Sequence, residues 1–245
     1  MGGTLASALV AGTLGRPWQQ GYTLKIGYYG PRTVPVLYAK PQVRLEAWNE
    51  QGYLVSKATM EIDGKRVAAA YDPKQKAIVH EPAEPLAPGD HAVACRVTLD
   101  DQVTFPKNWT LRIAPDAVAE LPKSGPDLAL ALERANELRA KTGLAPLVHD
   151  PRLSAAASRH AAYCQANDYT GHVQSVGKPG FFGATSGDRA AAFGYSGGSW
   201  EGVDSGDESI EDGVKSLWVA PYHRLPFLQP GAISFGAAFA AGRTV

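Results

Sequence analysis

The stretch Ala114-Pro115-Asp116-Ala117-Val118-Ala119-Glu120-Leu121-Pro122-Lys123-Ser124-Gly125-Pro126-Asp127 divides two hydrophobic periods. Before it the chain alternates with period two, in Val43-Arg44-Leu45-Glu46-Ala47-Trp48, Thr59-Met60-Glu61-Ile62, Ala77-Ile78-Val79-His80, His91 to Val97 and Trp109-Thr110-Leu111-Arg112-Ile113. Such alternation puts one set of side chains on a core and the other in water, so these segments predict half-buried strands. Asp63-Gly64, Pro88-Gly89-Asp90 and Asp100-Asp101 supply turn signals between them. Several short strands at this spacing predict a small antiparallel β-sandwich.

After Asp127 the period is helical. Leu128, Leu132, Ala135 and Leu138 line one face of a helix that Pro126 can start and Gly143 can stop. Asp150-Pro151 is a cap and first-turn pair, followed by the stripe Leu153, Ala156, Ala157, His160, Ala161, Cys164. Ser209 with Asp212 resembles a capping box opening a third helix that ends near Trp218. Gly171 to Asp207 is a long Gly-rich, aromatic-rich irregular stretch, a length that is often functional. The expected organisation is an N-terminal segment 1–32, a β-sandwich 33–114, a linker 115–126 and a second domain 127–245.

Composition narrows the function classes. The 245 residues carry 24 Lys plus Arg against 24 Asp plus Glu, a net charge of zero, which argues against a nucleic-acid binder held by phosphate contacts. No apolar run approaches the ~20 residues of a membrane-spanning helix. The 26 glycines and 18 prolines imply many turns, while two cysteines, Cys95 and Cys164, are too few for a disulfide framework and read as buried free thiols. Met1 to Gly12 lacks the basic start of a secretory signal, so none is read there. Of the six histidines, His80, His91 and His149 have no acidic or thiol partner at ligand spacing.

The second half resembles the CAP superfamily, which groups cysteine-rich secretory proteins, antigen 5 and pathogenesis-related proteins, and particularly its bacterial members. The resemblance rests on Asn136-Glu137-Leu138-Arg139, Thr142 to Leu147, Asp150-Pro151-Arg152-Leu153, Tyr169-Thr170-Gly171-His172, Asp188-Arg189 and Gly194-Tyr195. Its most specific part is Leu217-Trp218-Val219-Ala220-Pro221-Tyr222-His223-Arg224. Ile233 to Phe239 resembles the family's central strand, and residues 21 to 29 are a candidate for a further one. The first half resembles the immunoglobulin-like modules of bacterial exported proteins. Together these imply an α+β chain of two domains, an immunoglobulin-like β-sandwich followed by an α-β-α sandwich with an open cleft.

By the resemblance, two histidines and two acids project into that cleft. The histidines are His172 and His223, and the first acid is Glu201, although Trp200-Glu201-Gly202 stands where the family has Gly-Glu-Asn. The second is Glu211 or Asp212, with Gly213 in the expected place. Trp200, Phe181, Phe182 and Tyr195 are a cleft wall or simply core.

Three functions follow as expectations. The first is an exported bacterial binding module for a peptide, glycan or lipid, lined by His172, Glu201, His223, Trp200 and Tyr195. The second is a Zn²⁺-assisted hydrolase or peptidase, with His172 and His223 as ligands and Glu201 as the base that activates water, Glu211 being the further catalytic candidate. The third is a structural surface protein. Zn²⁺ is the one cofactor implied, no nucleic-acid partner or transmembrane segment is expected, and the expected placement is extracellular or at the cell surface.

Overall fold

Alternation along the first half produces the strands it predicts. The computed structural model describes residues 24–28, 35–49, 51–123, 127–240 and 243–245, and the expected segment 1–32 lies mostly outside them. The chain divides into two compact units between Ala119 and Glu120.

The first unit holds β1 (Lys25–Tyr28), β2 (Val36–Tyr38), β3 (Val43–Trp48), β4 (Val55–Ile62), β5 (Lys65–Val67), β6 (Ala70–Asp72), β7 (Ala77–His80), β8 (Gly89–Leu99) and β9 (Val103–Val118). They form a four-stranded sheet in the order β1-β3-β7-β6 and a five-stranded sheet in the order β2-β9-β8-β4-β5. Inward residues of both sheets, among them Leu45, Ala47 and Ile78 from one and Met60, Val93, Cys95 and Ile113 from the other, share one core. Asp63 and Gly64 both take positive φ (50° and 74°), as a tight hairpin between β4 and β5 requires. Two features depart from expectation. β2 pairs with β9 in parallel, so the arrangement is not purely antiparallel. β9 also runs to Val118, well into the stretch read as linker from Pro115. Its late residues keep strand form because β2 continues to pair with them and Ala39 N–H donates to the Val118 carbonyl.

The second unit holds α1 (Asp127–Ala140), β10 (Val148–His149), α2 (Pro151–Ala166), α3 (Ser186–Ala192), β11 (Asp204–Ser205), α4 (Ile210–Val219), β12 (Ser234–Phe235), β13 (Phe239–Ala240) and β14 (Arg243–Thr244). Asp150 caps α2 by accepting from Arg152 N–H, and Ser209 caps α4 by accepting from Asp212 N–H. Gly143, at φ 72°, ends α1 with its N–H on the Ala140 carbonyl. Successive residues near β13 then face opposite layers. Ala237 and Phe239 pack with Leu128, Ala135, Val214 and Leu217 of α1 and α4. Ala238 and Ala240 pack instead with Ala157 and Ala161 of α2. Period-two geometry thus places this strand between two helical layers.

The central strand expected over Ile233 to Phe239 is split. β12 pairs with β10 and β13 with β14, in separate sheets. At the break, a Cβ on Gly236 would collide with the Leu153–Ser154 backbone at the start of α2. The candidate strand within residues 21–29 does form over Lys25–Tyr28, but it pairs antiparallel with β3 and belongs to the first unit. Its remaining positions, 21–23 and 29, lie outside the described residues.

Gly236→Ala is therefore expected to cost about 1–3 kcal/mol through forced overpacking. Gly231→Ala, at a position with open space, is expected to stay within about 0.5 kcal/mol. Chemical denaturation of both variants checks the contrast.

Candidate functional site

The two histidines 51 positions apart in sequence come together. The His172 and His223 rings lie edge to face, with centroids 6.4 Å apart and planes at 80°. Each is delivered by a different device.

His223 follows α4 directly. Pro221 cannot continue the helix, and it pushes Ala220 to an extended conformation (φ −75°, ψ 124°), so the chain leaves α4 in a series of turns. Two contacts fix those turns from behind. Trp218 packs edge to face on Phe227 (6.0 Å), and the fully buried Arg139 of α1 donates to the carbonyls of Ala145, Gln229 and Phe227. Burial lowers the proton affinity of Arg139.

His172 sits at the start of the long loop, whose backbone is held by side chains beneath it. Buried His160 donates Nε2–H to the Gly171 carbonyl (2.9 Å) and receives at Nδ1 the amide of Gln174 (2.9 Å), while Gln174 Oε1 accepts from Phe182 N–H. That chain assigns His160 the neutral Nε2–H form. Burial first, and the Arg189 charge second, push its pKa down in agreement.

Glu201 joins the parts. Its Oε2 accepts from His172 Nδ1 at 3.1 Å, and both carboxylate oxygens accept from Arg189 Nη2 at 2.7 Å. The Arg189 guanidinium is 1% exposed and also donates to the carbonyls of His172 and Ala184. Burial opposes ionisation of Glu201, but the His172 hydrogen bond and the Arg189 charge outweigh it and hold its pKa below the usual glutamate value. The carboxylate is thus charged, compensated and oriented. Because its partner at Oε2 must be a donor, His172 carries a proton on Nδ1 and turns Nε2 away from Glu201.

The other expected site residues are engaged elsewhere. Glu211 pairs with Lys215 along α4 (2.8 Å), half exposed, and Asp212 is committed to the Ser209 cap. Neither is joined to the histidine pair. The side-chain space at Gly213 is already filled by Thr244 and Asp207, which are bonded to each other at 2.8 Å, so an acid does not fit there. Tyr195 lies against the Arg152 guanidinium, 6.0 Å from centroid to carbon, and Phe182 is core against Phe193. Trp200 is exposed beside Glu201. Among the described residues, no group of three or more His, Cys, Asp or Glu side chains is arranged to hold a metal ion.

Sequence reasoning missed Arg189 as the organiser. A signal was present in Thr185-Ser186-Gly187-Asp188, a reciprocal capping box that starts α3 inside the stretch read as irregular. It places Arg189 in the helix, with its long side chain available to reach Glu201.

Residues 132–244 match the family model described as the cysteine-rich secretory protein family, CAP. The second unit accordingly carries a CAP domain. None of the curated proteins compared matches the chain. An extracellular SCP-domain protein from Bacillus anthracis is similar over 88% of this chain and 87% of its own (14% identity, TM-score 0.40). Fibronectin(III)-like modules of Clostridium thermocellum CbhA are similar over 42% of this chain and 52% of theirs (12% identity, TM-score 0.30). CopC from Methylosinus trichosporium OB3b is similar over 36% of this chain and 91% of its own (20% identity, TM-score 0.28). Likeness this loose says nothing about function.

Arg189→Ala is expected to cost about 3–5 kcal/mol, because it leaves a buried carboxylate without its counter-charge. The Arg189→Met, Glu201→Gln double variant is expected to cost less than the sum of its single changes, as a double-mutant cycle by denaturation will measure. Because folding lowers the Glu201 pKa, its contribution to stability is present above pH 4.5, the unperturbed value, and is lost as pH falls through the folded value.

Proposed function

We propose that the second unit is a binding module whose recognition surface is centred on His172 and His223, for an uncharged or amphipathic ligand drawn from peptides, glycans or lipids. The observation that carries this reading is the state of Glu201. A carboxylate held by Arg189 on both oxygens and by His172 on Oε2, and kept ionised below the usual glutamate range, is a weak base in a fixed orientation, which supports its orienting an imidazole rather than taking a proton from water. With the Arg189 and Glu201 charges cancelled, the two imidazoles remain as the hydrogen-bonding groups of the pair. Around them in the chain stand Val173, Val176, Trp200, Val219, Tyr222 and Leu225, all exposed. Glu201 bonds His172, and His172 lies edge to face on His223, so these exposed apolar residues stand one to four places in sequence from the joined side chains. Exposed apolar groups concentrated in this way mark interaction surfaces.

The Zn²⁺-hydrolase reading receives less support. Two imidazoles fall one ligand short of the three protein ligands usual in catalytic zinc sites, and Glu201 is spoken for. Glu211, paired with Lys215, supplies neither a ligand nor a second acid. No helix among the described residues is long and apolar enough to cross a membrane. An extracellular or cell-surface setting in a bacterium, with the first unit as an immunoglobulin-like spacer, completes the proposal.

The test is a calorimetric panel of short peptides, oligosaccharides and phospholipid vesicles against the chain, beside a folded His172→Ala, His223→Ala double variant. One class is expected to bind, with affinity falling at least about tenfold in the variant, equivalent to one lost hydrogen bond to a buried partner. Binding by none of the three, or binding unchanged in the variant, overturns the proposal. Zn²⁺ titration in the same series separates the alternatives: stoichiometric uptake lost in the variant would favour the metal reading.

A further inference from the structure

The first unit contains a histidine whose surroundings dictate its protonation. His91 lies in β8 with its ring nearly buried, and each ring nitrogen faces an acceptor. Nδ1 is 2.6 Å from Asp63 Oδ2, and Nε2 is 2.7 Å from the Ala87 carbonyl oxygen. A neutral imidazole has one N–H and one lone pair. It satisfies only one of these contacts and sets its lone pair against the oxygen of the other. Both contacts hold only when both nitrogens carry protons.

We propose that His91 is an imidazolium latch that ties the β4–β5 turn to the loop entering β8, and that deprotonation releases it. Each end of the latch also has a fastening of its own. Asp63 sits at φ 50°, a conformation unfavourable for a side chain, where its N–H donates to the Ala92 carbonyl and its Oδ1 accepts from Ala92 N–H. Ala87 belongs to Glu81–Pro88, which carries three prolines and is tied down by Leu86 N–H on the Ala39 carbonyl. His91 therefore bridges the β4–β5 turn and a segment lacking regular structure.

The charges facing it favour the protonated form. Asp63 comes from the turn and Asp90 from β8 itself. The nearby cations are turned to other partners: Arg112 of β9 pairs with Asp90 through two hydrogen bonds, and Lys65 of β5 acts on Asp63. Burial of the ring opposes protonation, but the Ala87 carbonyl and Asp63 outweigh it and raise the His91 pKa above the ordinary 6.5. The same hydrogen bond holds Asp63 below the ordinary carboxylate range. The signs define a window. Because the His91 pKa is raised on folding, its contribution is complete below pH 6.5 and is lost as pH rises through the folded value. The Asp63 contribution is present above pH 3.8 and is lost as pH falls through its own lowered value.

The test is ¹⁵N-detected titration of the histidine rings in the intact chain, with thermal unfolding of the first unit followed over the same pH range. His91 is expected to show two protonated nitrogens at neutral pH, and Asp63→Asn to lower its proton affinity about tenfold, the effect of removing one adjacent opposite charge. In His91→Gln the fall in stability above pH 6.5 is expected to disappear. A neutral His91 at pH 7, or one whose titration ignores Asp63→Asn, overturns the proposal. The Asp63→Asn variant decides the matter even where His91→Gln fails to fold.

Discussion

The ion pair of Arg189 with Glu201 is the constraint on which the second unit's surface chemistry depends. A carboxylate with its side chain 13% exposed cannot stay charged there without a counter-charge and full hydrogen bonding. Arg189 supplies both from inside α3, and the same nitrogen reaches the His172 carbonyl. One guanidinium therefore holds Glu201 ionised together with the His172 hydrogen bond, fixes the loop carrying His172 and, through Glu201, orients the His172 ring. Lysine would not substitute for it, since a single ammonium cannot spread its donors over a carboxylate and two loop carbonyls in one plane.

Around this pair the fold acts as a positioning frame. Helix α4 stops because Pro221 follows it, which throws His223 into a turn rather than onto a helix face. Arg139 and Trp218 then hold that turn from beneath. His160 and Gln174 hold the opposite loop in the same way, through a directional series of hydrogen bonds. In both cases buried polar side chains serve backbone carbonyls that no strand or helix satisfies, as long loops in compact domains require. The result is two imidazoles presented by irregular backbone that is nonetheless pinned.

Much of the fold was legible in local pattern. The alternation of Val43 to Trp48 and of His91 to Val97, the Asp63-Gly64 turn, the Asp150 cap and the Ser209 cap depend on neighbouring residues, and the structure follows them. What escaped depends on contacts across the chain. The split between β12 and β13 arises where Gly236 passes the start of α2, and the capture of Lys25–Tyr28 by β3 is a choice of partner that periodicity does not encode. At the site, the convergence of His172, His223 and Glu201 came from a family resemblance rather than from spacing. Glu211 is drawn to its i, i+4 partner Lys215 on α4, a pairing that competes with any role in the cleft. His91 was passed over for want of an acid nearby in sequence, although strand pairing brings Asp63 to it from 28 positions away.

The measurement that tests the central claim most directly is the ring ¹⁵N spectrum of His172 at neutral pH, in the unaltered chain and in Glu201→Gln. If Glu201 is an orienting carboxylate locked by Arg189, His172 carries a proton on Nδ1, and the variant shifts toward the Nε2–H form preferred by a free imidazole. An Nε2–H form in the unaltered chain, or a tautomer indifferent to Glu201→Gln, would contradict the account and return Glu201 to the role of free base.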